Sequence, residues 1–363
     1  MNQVEKALMH ALFVHLHHNI DKAIDFGVFK ELNDKVSQTW PNSLLVGPDA
    51  NDDAAVFRIP DDGLVVAKME SHCSPCVPRP YDGAATGAGG AMRDVVAMGG
   101  RPLFLMDFIG TRPLDEEVIV GPCGFDGECT CGECETMTSG ERVNLLVKGI
   151  RDMCEAMDVF VVGGGLSTSF SDIVPAVVAS VIGKLVTKAP LTKPAKQEGD
   201  ALVLIGETGK DGNDTLYRAG LVNVMRPAEA LFGEERKTME AALEIMKSFD
   251  IHACSDLGAA GIGAAVSESV RFGGLGARVD LSKAPVKEKN ISPEEILICE
   301  TQARMIFQVS PENAIKVVSK ARENGVGGAV IGEITGEKKA VYTFDEREVA
   351  SIPNEAPAGL KID

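Results

Sequence analysis

Apolar residues recur at intervals of three and four through Val4-Glu5-Lys6-Ala7-Leu8-Met9-His10-Ala11-Leu12-Phe13, the repeat of an amphipathic helix, and residues 1–43 therefore read as a helical arm. Around Pro41-Asn42-Ser43 the pattern gives way to short apolar runs and longer mixed stretches. Strands are expected at 64–69, 102–109, 159–162 and 173–185, and helices at 84–98 and 141–157. Residues 188–200, with Pro190, Pro194 and Gly199, read as a connector. Beyond it, Ala201-Leu202-Val203-Leu204-Ile205 predicts a strand and 206–212 a turn. Helices follow near 227–248, 258–271 and 311–324, with strands near 277–281, 303–309 and 328–334. Strands mixed with helices in both halves imply an α+β or α/β protein of two domains, 44–187 and 188–350, with a fraying tail at 351–363.

Composition narrows the class. Hydrophobic residues make up 45% of the chain and charged residues 25%, a globular balance that excludes a disordered or fibrous protein. Acidic side chains number 53 against 36 basic ones, a net charge of -17 that repels phosphate backbones and anionic lipid headgroups. Neither nucleic acid nor a membrane is an expected partner. No apolar run approaches the ~18–20 residues of a membrane helix, and no basic-then-apolar leader opens the sequence, so a cytoplasmic location is expected.

Nine cysteines in such a chain point to metal, iron–sulfur or thiol chemistry rather than a disulfide scaffold. Cys123, Cys129, Cys131 and Cys134 fall within one glycine-rich stretch, Cys73 and Cys76 form a CxxC, and Cys154, Cys254 and Cys299 stand alone as expected core residues. His10, His15, His17 and His18 lie on the first helix. They are read as solvated, because no carboxylate or thiol spacing completes a metal site around them.

Several stretches carry chemistry. In Asn51-Asp52-Asp53-Ala54-Ala55-Val56, adjacent carboxylates precede small residues, the make-up of a loop that holds Mg²⁺ against a polyphosphate; a solvated acidic turn is the plainer reading. Lys68 and Glu70 sit two apart on an expected strand and so share a face, with His72 next door: a phosphate contact, a metal ligand and a general base, or a structural ion pair. From Tyr81 to Asp94 a helix begins with several glycines, fitting close packing against another helix, anion binding at its N-terminus, or both, with Arg93 as an anion clamp and Asp94 as a second magnesium carboxylate. Gly163-Gly164-Gly165-Leu166-Ser167-Thr168 reads as a phosphate-contacting loop or a simple turn. Ser255-Asp256-Leu257-Gly258-Ala259-Ala260-Gly261 is again acidic then small, and Cys299-Glu300-Thr301-Gln302-Ala303-Arg304-Met305 places polar groups before a strand.

Taken in order, these stretches, together with Pro80-Tyr81-Asp82-Gly83-Ala84-Ala85-Thr86-Gly87 and Met98-Gly99-Gly100-Arg101-Pro102, resemble the AIR synthase superfamily over residues 44–350, and within it the phosphoribosylformylglycinamidine (FGAM) synthetases of purine biosynthesis. The resemblance implies a two-domain PurM-like fold with an N-terminal ATP-binding domain. It implies that Lys68 contacts ATP, that Glu70, Asp94 and Asp256 hold Mg²⁺, that Ser71 and Ser74 touch substrate with His72 as acid/base, and that Arg93, Glu300, Thr301 and Gln302 line the substrate side. It also implies a homodimer and, for a synthetase, a glutaminase partner.

Two departures stand out. The synthetases run about twice this length as a tandem of two such units, and they read Ser-His-Asn-His-Pro-Ser where this chain has Ser71-His72-Cys73-Ser74-Pro75-Cys76. Their upstream His-Cys motif is not recognisable in residues 20–50. The C-x5-C-x-C-x2-C run from Cys123 to Cys134 fits a Zn²⁺ or iron–sulfur site. Three functions follow: an ATP- and Mg²⁺-dependent synthetase acting on a small carbonyl-containing metabolite; a sulfur-handling enzyme using Cys73 and Cys76 with a sulfur-donor protein; and a non-catalytic paralogue whose metal loop docks a partner.

Overall fold

The computed structural model describes the chain apart from residues 19–26, 48–49, 51, 60–62, 123, 125–131, 133 and 356–363, with backbone alone at 13–18 and 27–31. Helices α1 (Gln3–His18) and α2 (Gly27–Thr39) precede the first domain. That domain is built from β1 (Leu44–Val46), β2 (Ala55–Ile59), β3 (Gly63–Ser71), α3 (Pro80–Ala97), β4 (Gly100–Gly110), β5 (Glu117–Val120), β6 (Glu135–Thr138), α4 (Ser139–Met157), β7 (Phe160–Ser167) and β8 (Ala176–Leu185). The second holds β9 (Ala201–Ile205), α5 (Asp214–Arg218), α6 (Phe232–Ser248), β10 (Ala253–Asp256), α7 (Gly261–Gly273), β11 (Gly276–Asp280), α8 (Pro293–Ile298), β12 (Met305–Val309), α9 (Pro311–Glu323), β13 (Gly328–Thr335), β14 (Lys339–Phe344) and β15 (Arg347–Pro353).

Each domain is built on a mixed sheet: helices cover one face of the first, whereas both faces of the second are covered, with Val203 and Ile205 of β9 packed toward α6 and α9 and Leu202 and Leu204 toward α7 and α8. The first sheet runs β1-β2-β3-β8-β4-β7 and the second β10-β12-β9-β13-β11-β14-β15, while β5 and β6 form a separate hairpin. Along β3, Val66 is buried and Met69 exposed, so Lys68 and Glu70 share the face of Val66, toward α3.

Helix α3 is buried along almost its whole length. Its glycines serve close approach. A Cβ on Gly83 would lie 2.7 Å from the Pro75 carbonyl, and one on Gly149 of α4 would lie 2.2 Å from the Tyr81 carbonyl oxygen. Backbone therefore packs on backbone where α3 meets its neighbours, which only glycine permits. Helix α4 starts at a reciprocal cap, with Thr138 Oγ1 accepting from the Glu141 N–H and the Glu141 carboxylate accepting from the Thr138 N–H.

Three expectations change. The glycines at 163–165 form no loop: they continue β7, at the edge of the first sheet, where they pair with Met106, Asp107 and Phe108 of β4. Ser351 to Pro353 belong to β15, not to a tail, and the rest of the tail lies largely outside the described residues. The helical arm packs on the second domain: Val4, Ala7, Leu8, Met9 and Leu12 join its core, and Glu5 accepts from the Ser351 N–H at 3.0 Å. Strands β1, β5, β6, β10, β14 and β15 have no counterpart among the expected ones.

Candidate active site

The two domains meet over a set of carboxylates. Asp53 comes from the approach to β2, Asp94 from α3 and Asp256 from the end of β10, and one oxygen of each lies within 4.8 Å of the others. Two domains thus contribute to one cluster. Glu70 stands beside this trio rather than in it, its carboxylate facing Gly90 of α3. Asp52 sits one residue away, its Oδ1 accepting from the Lys193 N–H at 3.0 Å and the Asp53 N–H at 3.2 Å.

Cations are threaded between these groups. Lys68 Nζ lies 2.8 Å from Asp94 Oδ2. Burial alone would lower the Lys68 pKa, but Asp94 and Glu70 outweigh it and raise it. Burial pushes the Asp94 and Asp256 carboxyls up, and Asp256 is raised further by Asp94. Burial and the charge of Asp53 bring Asp52 up to about 7. Burial and mutual repulsion disfavour the ionised form of these crowded carboxyls, and an added cation would offset both. Asp53 Oδ2 is buried without a hydrogen-bond partner. An oxygen-only donor set with one orphaned oxygen fits a hard divalent cation such as Mg²⁺.

Arg93, expected as an anion clamp, is instead a strut between domains. It is fully buried; Nη1 pairs with Glu235, Nη2 donates to Gln302 Oε1 at 2.7 Å, and Nε lies 3.3 Å from Asp256 Oδ2. All three of its nitrogens are engaged by the second domain.

His72 follows β3. Its Nδ1 is 2.7 Å from the Gly83 carbonyl oxygen, so Nδ1–H donates there and Nε2 carries the free lone pair. Burial lowers its pKa despite that bond, which makes it a neutral imidazole and a base. Gly87 makes room for the ring, since a Cβ there would stand 2.6 Å from His72 Cβ. Ser71 and Ser74 flank it and are exposed.

The two thiols next to it are held differently. Cys76 is buried and donates to the His72 carbonyl at 3.0 Å; burial pushes its thiol up, which disfavours the thiolate. Cys73 Sγ is held against the backbone of Val177, accepting from its N–H at 3.5 Å.

Glu300, Thr301 and Gln302 are each tied to neighbouring groups. Thr301 is fully buried, its hydroxyl donating to Asp211 Oδ1 at 2.8 Å and accepting from the Gly209 N–H at 2.9 Å. A glutamate oxygen of Glu300 accepts from the Ala260 N–H at 3.0 Å, steadying the left-handed residue that starts α7. Gln302 is bound to Arg93. Beside the 206–212 turn, a cavity of about 350 Å³ is lined by Arg79, Asp211, Arg226, Glu229, Lys287 and Glu288 among others.

Of the four-cysteine run only Cys134 belongs to the described residues, half-buried; Cys123, Cys129 and Cys131 lie outside them. Cys154, Cys254 and Cys299 are buried. His10 is exposed, and the side chains of His15, His17 and His18 lie outside the described residues. No helix among the described residues is long and apolar enough to cross a membrane.

Sequence reasoning missed Lys193, which pairs with Asp53 and Glu268, and Glu235, which pairs with Arg93. Lys193 sits in a connector and Glu235 in the first turn of an ordinary amphipathic helix, and neither position carries a motif.

Mixed sheets flanked by helices, with acidic residues converging from both halves, define the class. Residues 51–185 match the AIR synthase related protein N-terminal domain and 197–345 the corresponding C-terminal domain, and the chain belongs to that family. Within it, the phosphoribosylformylglycinamidine synthase subunit PurL of Methanosarcina mazei is 33% identical over 332 residues, 88% of this chain and 43% of that protein. Thermotoga maritima PurL complexed with ATP superposes with a TM-score of 0.69 at 28% identity over 88% of this chain and 48% of that one. The T. maritima PurLQS structure gives 0.67 at 30% identity, covering 83% of this chain and 46% of that one. The chain thus spans less than half the length of these relatives.

Proposed function

We propose that this chain is an ATP- and Mg²⁺-dependent synthetase of the FGAM synthase type, which phosphorylates a carbonyl-type oxygen of a small metabolite and lets a nitrogen nucleophile displace the phosphate. The observation that carries this reading is the convergence of Asp53, Asp94 and Asp256 from two domains, with Lys68 against Asp94. A carbonyl oxygen is a poor leaving group until it carries phosphate. In the first step it attacks the γ-phosphorus, the bond to the β,γ-bridging oxygen breaks, and ADP leaves. In the second, the nitrogen adds to the same carbon, gives a proton to a base, and phosphate departs with the oxygen. Magnesium, when bound, spreads the charge of the transferring phosphoryl group. Asp53, Asp94 and Asp256 would hold it, with the carboxyls of Asp52 and Glu70 close by. Lys68 would steady the phosphates, and neutral His72, flanked by Ser71 and Ser74, offers Nε2 as the base.

Calorimetric titration of a non-hydrolysable ATP analogue with and without Mg²⁺ tests the reading. Magnesium-dependent binding is expected; its absence overturns the proposal. Substrate follows from ATP turnover with formylglycinamide ribonucleotide and ammonia, and inactivity there with activity on another amide would retain the chemistry while replacing the purine.

Pairing of two copies is part of the proposal. Its support is the bare face of the first sheet, where Met69, Phe104, Met106, Phe108 and Phe160 are exposed side by side. A glutaminase that delivers ammonia is proposed from the likeness to PurLQS. For the C-x5-C-x-C-x2-C run we propose a bound Zn²⁺ or iron–sulfur cluster, supported by four thiols among glycines. Metal analysis with an absorption spectrum of anaerobically purified protein decides between the two, and metal-free protein overturns both.

A further inference from the structure

Each carboxylate of the trio already has one oxygen taken by a fixed cation. Lys193 Nζ stands 2.5 Å from Asp53 Oδ1, Lys68 Nζ 2.8 Å from Asp94 Oδ2, and Arg93 Nε 3.3 Å from Asp256 Oδ2. Lys193 lies between the two matched family segments, 51–185 and 197–345, and in neither. It is more than nine-tenths buried and gripped from several sides. Its Nζ also meets Glu268 Oε2 at 3.0 Å, its N–H donates to Asp52, and its carbonyl accepts from Ser269 Oγ at 2.8 Å. Such a side chain cannot swing away to free Asp53 Oδ1. The other oxygen, Oδ2, is the one left buried and unpartnered.

An oxygen that already accepts from a buried ammonium is a poorer metal donor than its free partner, so a carboxylate clamped at one oxygen favours coordination through the other alone over chelation through both. Magnesium needs about six oxygens in a tight octahedron and is satisfied by single oxygens, water and phosphate; calcium takes about 6–8 at longer range and often chelates both oxygens of a carboxylate. We propose that Lys193 is a specificity-determining residue: by holding Asp53 Oδ1 it limits Asp53 to one metal–oxygen bond and biases the site toward Mg²⁺ and against Ca²⁺. Lys68 and Arg93 impose the same restriction on Asp94 and Asp256. The inference rests on the reading that the trio holds a divalent cation with a nucleotide.

The test is calorimetric titration of Mg²⁺ and of Ca²⁺ into the full chain with a non-hydrolysable ATP analogue present, for the wild type, Lys193→Met and Glu268→Gln. In Lys193→Met the affinity ratio should move toward Ca²⁺ by about tenfold or more, the scale on which groups behind metal ligands act. Glu268→Gln keeps Lys193 on Asp53 and should leave the ratio unchanged. A Lys193→Met protein that binds both ions in the wild-type ratio overturns the inference and leaves the nucleotide reading standing. If neither ion binds the wild type, both fall. Because Lys193→Met strands two buried carboxylates and can fail to fold, a crystal structure of the wild type with Mn²⁺ or Ca²⁺ gives a second decision. One bond from Asp53 supports the inference, and chelation through both oxygens overturns it.

Discussion

Arg93 and Gln302 meet across the boundary between the two domains: Nη2 of the arginine, on α3, donates at 2.7 Å to Oε1 of the glutamine, just before β12. The same guanidinium reaches Glu235 and Asp256, so one buried side chain of the first domain ties together three of the second. Its charge has no access to water, and the partners hold it. Burial would lower its pKa, but Glu235 and Asp256 outweigh that and keep it ionised. A cation of this kind fixes how the domains are oriented, and therefore whether Asp256 arrives beside Asp53 and Asp94.

Arg93→Met should consequently cost stability first and binding second. Removing one member of a buried ionic network leaves the rest uncompensated, typically at about 3–5 kcal/mol. Guanidinium denaturation should show a lower midpoint, and magnesium-dependent nucleotide binding should weaken with it. An unchanged midpoint would mean that the network contributes specificity without stability.

Asp52 gives a pH dependence with a definite sign. Burial and Asp53 raise its carboxyl from 3.8 to about 7 in the folded chain, so the folded protein holds this proton more tightly than the unfolded chain does. The stability gained is complete below about pH 4 and is lost as pH rises through 7. Asp52→Asn keeps an acceptor for the N–H groups of Lys193 and Asp53 but removes the titration. Denaturation midpoints measured from pH 4 to pH 8 should therefore fall less steeply for the variant than for the wild type; parallel curves would show that Asp52 does not titrate in this range.

How much of this was legible in the sequence depends on what kind of signal each residue carries. Asp53 and Asp256 sit where small residues follow the acid, and Asp94 closes a glycine-rich stretch, so each is visible in one dimension. Lys68 and Glu70 follow from strand alternation. Arg93 and Thr301 stand out in the sequence, but it does not show that each polar group is already engaged by partners 142 and 90 residues away. Lys193 had no signal at all: its role comes from where the connector passes, between Asp53 and Glu268. The glycines of β7 misled for a related reason, since only pairing with β4 tells a strand from a loop there.

Gly149 marks the closest contact between α3 and α4. A Cβ there would fall 2.2 Å from the Tyr81 carbonyl oxygen and 3.1 Å from the Ala85 nitrogen, both backbone atoms that cannot rotate aside. Gly149→Ala would gain helix propensity, worth about 1 kcal/mol, in an exposed helix. Here the helices must separate, and the cost of overpacking, about 1–3 kcal/mol or more, dominates. Thermal unfolding should show a lower midpoint for Gly149→Ala; a higher one would mean that α3 and α4 can shift apart freely.

Phe160 offers the sharpest handle on the proposed pairing between copies. It is 70% exposed on β7, with its ring centroid 6.2 Å from that of Phe104 on the neighbouring strand. Together with Met69, Met106 and Phe108 these rings make a bare apolar face on the first sheet, and a negative charge in its midst would have to be desolvated on association. Phe160→Asp should leave the fold intact, because the side chain packs on no core of its own domain, while shifting the sedimenting species from dimer to monomer. Nucleotide binding measured on the same samples then shows whether one copy suffices for the site. A wild type that sediments as a monomer overturns the proposed pairing, and a Phe160→Asp protein that remains a dimer places it elsewhere than on this sheet face.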